Sequence, residues 1–458
     1  MREKYFTTGP ILKQVVLFAL PLLGSAFIQQ FYNTIDLLFV GQTIGKTGSA
    51  AVGASTMIVT CLVGLFSGIS VGASVVASKH FGANDREKTA LVIQTAAALT
   101  VVSSIVLTVL GIVGAKQFLI LLGTPKGILQ AGGDYLRIYF LSAFFMIAYN
   151  MGTGILRAMG NSKTPLYYQL AGGLVNIVMD AVFVFGLHMG VKGVAFATLF
   201  SQGAAAILTI QFLFCHLEKD IRLRYHSIHI DREQLHSILR VGIPAGIQAL
   251  VITFSNLIVQ YFINSLGTET IAAFTVYLKV ELPIYYPIMA IGQAATIFVA
   301  QNHGAGNRKR CNNGVLICLG ISLILTVGIS STLLWLGNPA FGIFGVGSEV
   351  TAVGLQMIRI TFPFYFLYCF LQIFGDALKG IGKSHLSMVI VLLCVCGIRS
   401  MLLLVLVPGH PSIETVAIVY PITWGTTGLL MLLSYVIYIK DRKLHTIEKE
   451  AENEVGSI

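Results

Sequence analysis

Long stretches of apolar residues alternate with short polar or Gly/Pro breaks along the whole chain. A membrane-spanning helix needs about 20 consecutive, mostly apolar residues, whereas a strand of a membrane barrel needs only about ten with alternating polarity. The stretches have helical length, which excludes a membrane β-barrel. Twelve spans are predicted, at residues 15–40, 50–78, 91–115, 136–156, 166–186, 193–214, 239–263, 271–300, 314–336, 352–376, 386–407 and 415–438.

Composition agrees with this pattern. Of the 458 residues 55% are hydrophobic and 11% are charged, and the mean hydropathy is +0.80, whereas an ordinary soluble domain has about 25% charged residues. The first apolar stretch is too long for the core of a secretory signal peptide, and no small-residue cleavage site precedes it. We therefore expect an all-α polytopic membrane protein that retains its first span.

Basic residues lie mainly in alternate connections. With both termini on the cytoplasmic side, the inside segments hold 22 Lys and Arg residues. The outside connections hold four, namely Lys46, Lys116, Lys126 and Lys192. The positive-inside rule therefore predicts cytoplasmic termini in the cell membrane. It also explains the net charge of +10 without nucleic acid, because basic loops face anionic lipid.

The sequence contains an internal repeat. A shift of 222 residues aligns Gly45 with Gly267 and Arg86 with Arg308, and one inserted residue aligns Pro21 with Pro244. Each repeat holds six spans, so the halves have the same orientation and a pseudo-twofold axis lies along the membrane normal. We predict two six-helix lobes, with the N-lobe at 1–215, a cytoplasmic linker at 216–238, the C-lobe at 239–440 and a cytoplasmic tail at 441–458.

Acidic side chains inside membrane spans are functional candidates by default. Asp36 lies in the first span and Asp180 in the fifth, where Asn176 is four residues earlier on the same helix face. Thr198 lies at similar depth in the sixth span, and all four belong to the N-lobe. Desolvation and mutual repulsion favour a neutral acid, so the set suits a proton, although the same oxygens could surround Na⁺ as a metal site. Alternatively, each Asp only caps a kinked helix or bonds a neighbouring backbone.

A second ionisable set lies in the C-lobe, with Lys279 and Glu281 in the eighth span and Arg399 in the eleventh. Residues two apart on a helix do not face each other. Glu281 is therefore expected to pair with Arg399 rather than with Lys279. A structural ion pair is favoured, and a gating or substrate role is the alternative.

Polar residues with helical spacing in the first span predict a face turned toward protein or water. Gln29, Tyr32 and Asn33 of this stripe, with Asn256 and Gln260 of the seventh span, are candidates to line a substrate cavity. Ordinary hydrogen bonding between helices explains any one of them equally well.

Enzymatic chemistry is not indicated. The segment GQTIGKT at 41–47 has three residues between its glycines, where a phosphate-binding loop needs four. The linker histidines have no metal-ligand spacing, and the seven cysteines form no CxxC motif. We expect no catalytic residue and no cofactor apart from a coupling ion.

Several motifs resemble the multidrug and toxic compound extrusion (MATE) family. They are TTGPILKQVVLFALPLL, QQFYNTIDLLFVGQTIG, ASKHFGANDREK with its echo AQNHGAGNRKR, ILRAMGNSKTP with its echo ALKGIGKSH, and GGLVNIVMDAVFVFG. The resemblance implies two six-helix lobes that export amphipathic, often cationic, compounds in exchange for external H⁺ or Na⁺.

In some MATE members an N-lobe site consists of residues that match Asp36, Asn176, Asp180 and Thr198 here. Other members use a C-lobe Glu and Asp, which fall at Ile252 and Tyr368 in this sequence. This departure argues against C-lobe coupling and resembles the DinF-like branch.

The resulting hypothesis is an antiporter for drugs or toxic metabolites that works by alternating access as a monomer. Its partners would be small amphipathic substrates and membrane lipid, without nucleic acid. A flippase for a lipid-linked precursor is the alternative, since Lys279 and Arg399 could meet a pyrophosphate. A transporter-like receptor is a third class, for which the linker and tail are short.

Overall fold

The computed structural model describes residues 6–43, 45–121 and 123–455, apart from the side chains at 37, 38, 40–49 and 440–455. Arg2 and Lys4, which contribute to the predicted inside charge, and residues 456–458 of the predicted tail lie outside the described residues. Over the described ranges the chain is helical and forms no β-strand. The α-helices are α1 (Ile11–Thr43), α2 (Gly45–Gly82), α3 (Arg86–Leu121), α4 (Lys126–Leu141), α5 (Ala143–Ala158), α6 (Lys163–Asp180), α7 (Gly190–Cys215), α8 (Arg232–Ser265), α9 (Thr268–Val280), α10 (Leu282–Gly304), α11 (Arg308–Trp335), α12 (Gly337–Gly342), α13 (Ser348–Thr361), α14 (Phe366–Gly380), α15 (Ser384–Val391), α16 (Arg399–Gly409) and α17 (Ile413–Val455).

Ten helices in this part of the chain are long and apolar enough to cross a membrane, and two bent pairs raise the number to 12. The predicted span 136–156 corresponds to α4 and α5, which are bent by 46°. The span 352–376 is bent by 55° between Phe364 and Phe366. Both segments are therefore bent and are not the continuous helices that hydropathy predicted.

Proline explains the break in the span 352–376. Pro363 forms a short 3₁₀ turn at Phe362–Phe364 before α14, since its ring fixes φ and removes an N–H donor. The predicted span 271–300 is likewise divided, with α9 ending at Val280 and α10 beginning at Leu282. Pro283 disfavours helical geometry at the residue before it, which places the break beside Glu281.

The chain divides into two compact units. Unit 1 comprises Met1–Thr253 and Thr296–Gly314, and unit 2 comprises Phe254–Ala295 and Val315–Ile458. These bounds differ from the predicted lobes, because the beginning of α8 and the end of α10 belong to unit 1. The lobe boundaries themselves stay a prediction.

Glycines let two helices of unit 1 touch through their backbones. A Cβ atom on Gly68 of α2 would lie 2.2 Å from the backbone N of Gly246, and one on Gly72 would lie 2.3 Å from the backbone O of Ile238. Small residues four apart commonly permit such close helix packing in membranes. The close approach ties the beginning of α8 to α2.

Each unit has its own buried core. In unit 1, Leu107, Leu136 and Phe140 are completely buried among α2, α3, α4 and α7. In unit 2, Tyr277 and Phe362 are buried, and their ring centroids lie 6.0 Å apart. These cores fix the helices that carry the polar residues described next.

Candidate functional site

The three helices of unit 1 that carry the predicted N-lobe residues, α1, α6 and α7, pack against one another. The helix α6 packs against both α1 and α7. Gly172 and Gly173 permit this approach, because a Cβ on Gly173 would lie 3.0 Å from the Tyr32 ring and one on Gly172 would lie 3.2 Å from the Ser201 backbone. The Ser201 Oγ donates to the Gly172 carbonyl at 2.8 Å, which adds a hydrogen bond at the α6–α7 contact.

The carboxyl groups of Asp36 and Asp180 lie close enough to interact with each other. Asp180 is completely buried. No donor among the described residues reaches Oδ1 of Asp36 or either carboxyl oxygen of Asp180. Buried polar atoms normally have hydrogen-bond partners, and an unpaired buried charge is costly. The two carboxyl groups are therefore candidates to bind a proton or a cation.

Asn176 and Thr198 differ in how they relate to this pair. Asn176 is 2% exposed, and its Oδ1 also receives no hydrogen bond from the described residues. The Thr198 Oγ1 donates to the carbonyl of Val194 in its own helix at 3.1 Å, which leaves its lone pairs available. Chemically, the set offers a site for a shared proton or for a small hard cation, which prefers oxygen ligands.

The backbone changes form immediately after Asp180. Residues Ala181–Gly186 make a π-helix, and the N–H of Leu187 donates to the carbonyl of Val182 at 2.9 Å. Segments of π-helix are rare and frequent at functional sites. Apolar periodicity predicted an uninterrupted span at 166–186 and gave no signal of this change.

Sequence reasoning missed a tyrosine near the carboxyl pair. Tyr135 of α4 is buried and close enough to Asp36 and Asp180 to interact electrostatically. Its ring centroid lies 5.9 Å from that of Tyr139. The signal was weak, because Tyr135 precedes the predicted span 136–156 and only the bend between α4 and α5 reveals the true helix.

An ion pair joins α4 and α7 nearby. The Nζ of Lys192 lies 3.1 Å from Oδ2 of Asp134, and both side chains are partly exposed. We call this pair the outer ion pair, because the topology predicted from the charge bias would put Lys192 on the outer side. Exposed pairs of this kind contribute about 0 to 1 kcal/mol to stability.

The five candidate cavity residues separate by exposure. Gln29 and Asn33 of unit 1 and Asn256 of unit 2 are exposed. Tyr32 is instead buried, and its hydroxyl accepts a hydrogen bond from Nε2 of Gln169 at 2.8 Å. Gln260 is partly buried and donates to Asn264 at 2.7 Å in its own helix. Tyr32 therefore holds α1 against α6, while the exposed three stay candidates for a substrate path.

The second predicted set lies in a polar, aromatic cluster of unit 2. The Tyr365 hydroxyl donates to Oε1 of Glu281 at 2.9 Å. The Tyr365 and Trp424 ring centroids are 4.8 Å apart. This packing encloses the Glu281 carboxylate at the break between α9 and α10.

Arg399 is 4% exposed and belongs to the same cluster. Its guanidinium donates to the hydroxyls of Ser255 at 3.4 Å and Thr423 at 3.3 Å, and lies 4.9 Å from the Tyr420 ring centroid. Cations bind favourably over aromatic faces.

The direct Glu281–Arg399 ion pair that the sequence suggested is not formed among the described residues. The break before Pro283 turns Glu281 toward Tyr365, and Arg399 is held by hydroxyls. Lys279 is exposed, as expected for a residue that does not face Glu281.

A further acidic residue escaped the sequence analysis. Asp376 of α14 is 5% exposed, and its carboxylate accepts from Nζ of Lys379 at 3.1 Å and from Nε2 of Gln372 at 2.6 Å. Spacings of three and four residues place both donors on the face of Asp376. That spacing is visible in the sequence, but Asp376 lies at the end of the predicted span 352–376 and is not among the candidate site residues.

Apart from the pair of Asp36 and Asp180, the part of the chain that the structure describes holds no cluster of typical metal ligands. No group of three or more His, Cys, Asp or Glu side chains converges there. The linker histidines therefore do not assemble into a site within that part.

Known proteins resemble this chain in sequence. The family model MatE matches residues 21–182 and 244–405, and the two matches begin at Pro21 and Pro244, which the internal repeat aligns. "Probable multidrug resistance protein YoeA" of Bacillus subtilis is 26% identical over 94% of each chain. "Probable multidrug resistance protein YpnP" of the same organism is 31% identical over 68% of this chain and 69% of its own.

Solved structures resemble it in fold. An outward-facing multidrug resistance MATE family transporter of the MOP superfamily superposes with a TM-score of 0.89 at 21% identity, over 96% of this chain and 98% of its own. With the helical content and the 10 to 12 spans, this match confirms the predicted fold class. It also confirms a multi-pass membrane protein.

Proposed function

Because the chain belongs to the MatE family of membrane transporters, as its sequence motifs predicted, we propose that it exports amphipathic, cationic drugs or toxic metabolites in exchange for H⁺ or Na⁺. The family is one of transporters and not a class of enzymes. The relatives reported above are named for multidrug resistance, so the flippase alternative is not favoured. The DinF-like branch stays a prediction.

One observation carries the coupling part of this proposal. Four buried oxygen atoms, on Asp36, Asn176 and Asp180, receive no hydrogen bond from the described residues. Leaving them unpaired costs about 1 to 3 kcal/mol each, and more if charged. A protein retains such a cost where binding a proton or a cation relieves it. We therefore place ion coupling at these three residues, with Thr198 as an accessory oxygen.

The mechanism follows from the helices that carry these side chains. Asp36 lies on α1, and Asp180 lies on α6 directly before the π-helix. Neutralising one carboxyl group removes the repulsion between them and allows α1 and α6 to pack more closely. The hydrogen bond between Gln169 of α6 and Tyr32 of α1 transmits that change along α1. The exposed Gln29 and Asn33 of α1 would meet the substrate. Ion binding and substrate release are thereby linked through α1.

The ion gradient supplies enough free energy. One charge that moves down 100 mV releases about 2.3 kcal/mol, and one pH unit adds about 1.4 kcal/mol. The sum sustains a substrate gradient of several hundredfold for an uncharged compound, since about 1.4 kcal/mol corresponds to a factor of ten. For a compound that carries one positive charge, one-for-one exchange moves no net charge, so the concentration gradient of the coupling ion alone drives export and sustains about tenfold per pH unit.

We further propose a monomer in the cell membrane with both termini cytoplasmic, which the 22 to 4 distribution of basic residues favours. The working protein would need no cofactor besides its coupling ion. Its partners would be small amphipathic substrates and membrane lipid, with no nucleic acid.

The test is uptake of a fluorescent organic cation into inverted membrane vesicles, with a proton gradient or a Na⁺ gradient imposed separately. Wild type, Asp36→Asn and Asp180→Asn are compared. Asp134→Asn is the matched control, because it removes a nearby carboxylate that is partly exposed and already paired. We expect one gradient to drive uptake, and we expect both buried substitutions, but not the control, to abolish the coupling.

Two outcomes would contradict the proposal in different ways. Wild type that moves no cation under either gradient would argue against cation export. Gradient-driven uptake that persists in both Asn variants would leave export intact and make Asp36 and Asp180 structural residues.

A further inference from the structure

A cavity of about 710 Å³ opens in unit 1 between the beginning of α1, the end of α7 and the turn that joins α5 to α6. Every residue that lines it belongs to unit 1. The charge bias assigns these helix ends to the cytoplasmic side. The cavity is therefore separate from the carboxyl pair, which the sequence places in the outer half of the membrane.

Basic groups lie at the polar end of this cavity. Lys13 and Lys163 are both exposed, and neither forms an ion pair with a described residue. His216 adds an imidazole, and its ring is stacked on Phe212 at a centroid distance of 5.2 Å. The one acidic lining residue, Glu218, is already paired with Arg86 at 3.1 Å. The rim thus carries two uncompensated positive charges.

The other wall is apolar. Leu17, Leu156 and Phe212 line the cavity. Leu17 is 47% exposed on the surface of α1, at the depth where a spanning helix meets hydrocarbon. A ligand in this cavity would meet hydrocarbon-like side chains on one side and ammonium groups on the other, which is the chemistry of an amphipathic anion.

We propose that this cavity binds one anionic phospholipid of the cytoplasmic leaflet. The phosphate pairs with Lys13 and Lys163, and the acyl chains lie along Leu17 and Phe212. Charge complementarity selects this occupant, since the cytoplasmic leaflet is negative and each Lys near its surface contributes to lipid attraction. A zwitterionic lipid would gain the apolar contact but little of the electrostatic attraction.

The site also adjoins the contacts of the N-terminal segment. Phe6 and Gln14 line the same cavity. The Arg310 guanidinium donates to the Phe6 carbonyl at 2.9 Å and to Oε1 of Gln14 at 2.9 Å. A lipid seated beside these residues would cover the segment and stabilise its contact with the beginning of α11.

Native mass spectrometry of the full-length protein in detergent tests the proposal, with phosphatidylglycerol or phosphatidylcholine added. We compare wild type with Lys13→Gln/Lys163→Gln. The matched control is Lys88→Gln/Lys309→Gln, which removes two exposed basic residues of the same side that do not line the cavity. We expect tight binding of one phosphatidylglycerol, which is weakened about fivefold for each cavity lysine removed and unchanged in the control.

The remaining outcomes each overturn it. Equal weakening in both double variants would mean that only the total surface charge matters. Phosphatidylcholine that binds as tightly as phosphatidylglycerol would show that the site does not select an anionic lipid. Glycerol 3-phosphate that protects the protein against thermal unfolding as well as phosphatidylglycerol does would assign the cavity to a soluble phosphate compound. Lipid binding that appears only after deletion of residues 2–5 would make those residues the natural occupant.

Discussion

The contact between α2 and α8 predicts opposite effects of substitution at two glycines on one helix face. Gly64, Gly68 and Gly72 are spaced four residues apart along α2. A Cβ on Gly68 would lie 2.2 Å from the backbone N of Gly246, whereas a Cβ on Gly64 would lie 3.6 Å from the Ala249 side chain. Gly68→Ala therefore creates a clash, and Gly64→Ala makes an ordinary van der Waals contact.

The size of the effect follows from these distances. An ordinary contact begins at 3.4 Å, so the two backbones must separate by about 1.2 Å around Gly68. Overpacking typically costs about 1 to 3 kcal/mol, and a rigid backbone neighbour places Gly68→Ala at the upper end. Gly64→Ala should instead gain about 0.5 to 1 kcal/mol, because alanine lowers the entropy of the unfolded chain.

The assay is thermal unfolding of the purified variants in the same detergent. With about 2.1 cal/mol/K of unfolding entropy per residue, 3 kcal/mol corresponds to a decrease of about 3 °C in Tm for 458 residues. We expect Gly68→Ala to fall by at least this amount and Gly64→Ala to equal or exceed wild type. Equal Tm values for the two variants would refute the close backbone contact.

Three further substitutions test the hydrogen bonds and charges of the sites. Tyr32→Phe should cost about 1 to 3 kcal/mol in thermal unfolding, because Nε2 of Gln169 loses its acceptor, and adding Gln169→Leu should recover part of it; no recovery would speak against this hydrogen bond. Glu281→Gln keeps an acceptor for the Tyr365 hydroxyl, so it should remain more stable than Glu281→Ala, and the reverse order would be inconsistent with the observed contact. Lys192→Gln should change Tm by less than the equivalent of about 1 kcal/mol, since the outer ion pair is partly exposed; a large loss would show that the pair is effectively buried.

The sequence alone determined the fold class, the repeat and the candidate N-lobe residues. Hydrocarbon excludes unpaired backbone groups, so long apolar stretches specify helices without reference to any neighbour. Asp36 and Asp180 are candidates for a related reason: an acid inside such a stretch is costly, and the acids found there are usually functional. The spans and their acidic residues are local properties that can be read from single stretches of chain, whereas the repeat is found by comparing the two halves of the sequence.

Tertiary structure decided which groups are actually paired. Glu281 and Arg399 have opposite charges in the eighth and eleventh predicted spans, but Glu281 accepts a hydrogen bond from Tyr365, and Arg399 donates to the hydroxyls of Ser255 and Thr423. The π-helix after Asp180 likewise has no counterpart in the apolar pattern. Which groups pair depends on how the packed helices rotate and bend. Hydropathy does not report this, because a residue has the same hydropathy value whichever face of the helix it occupies.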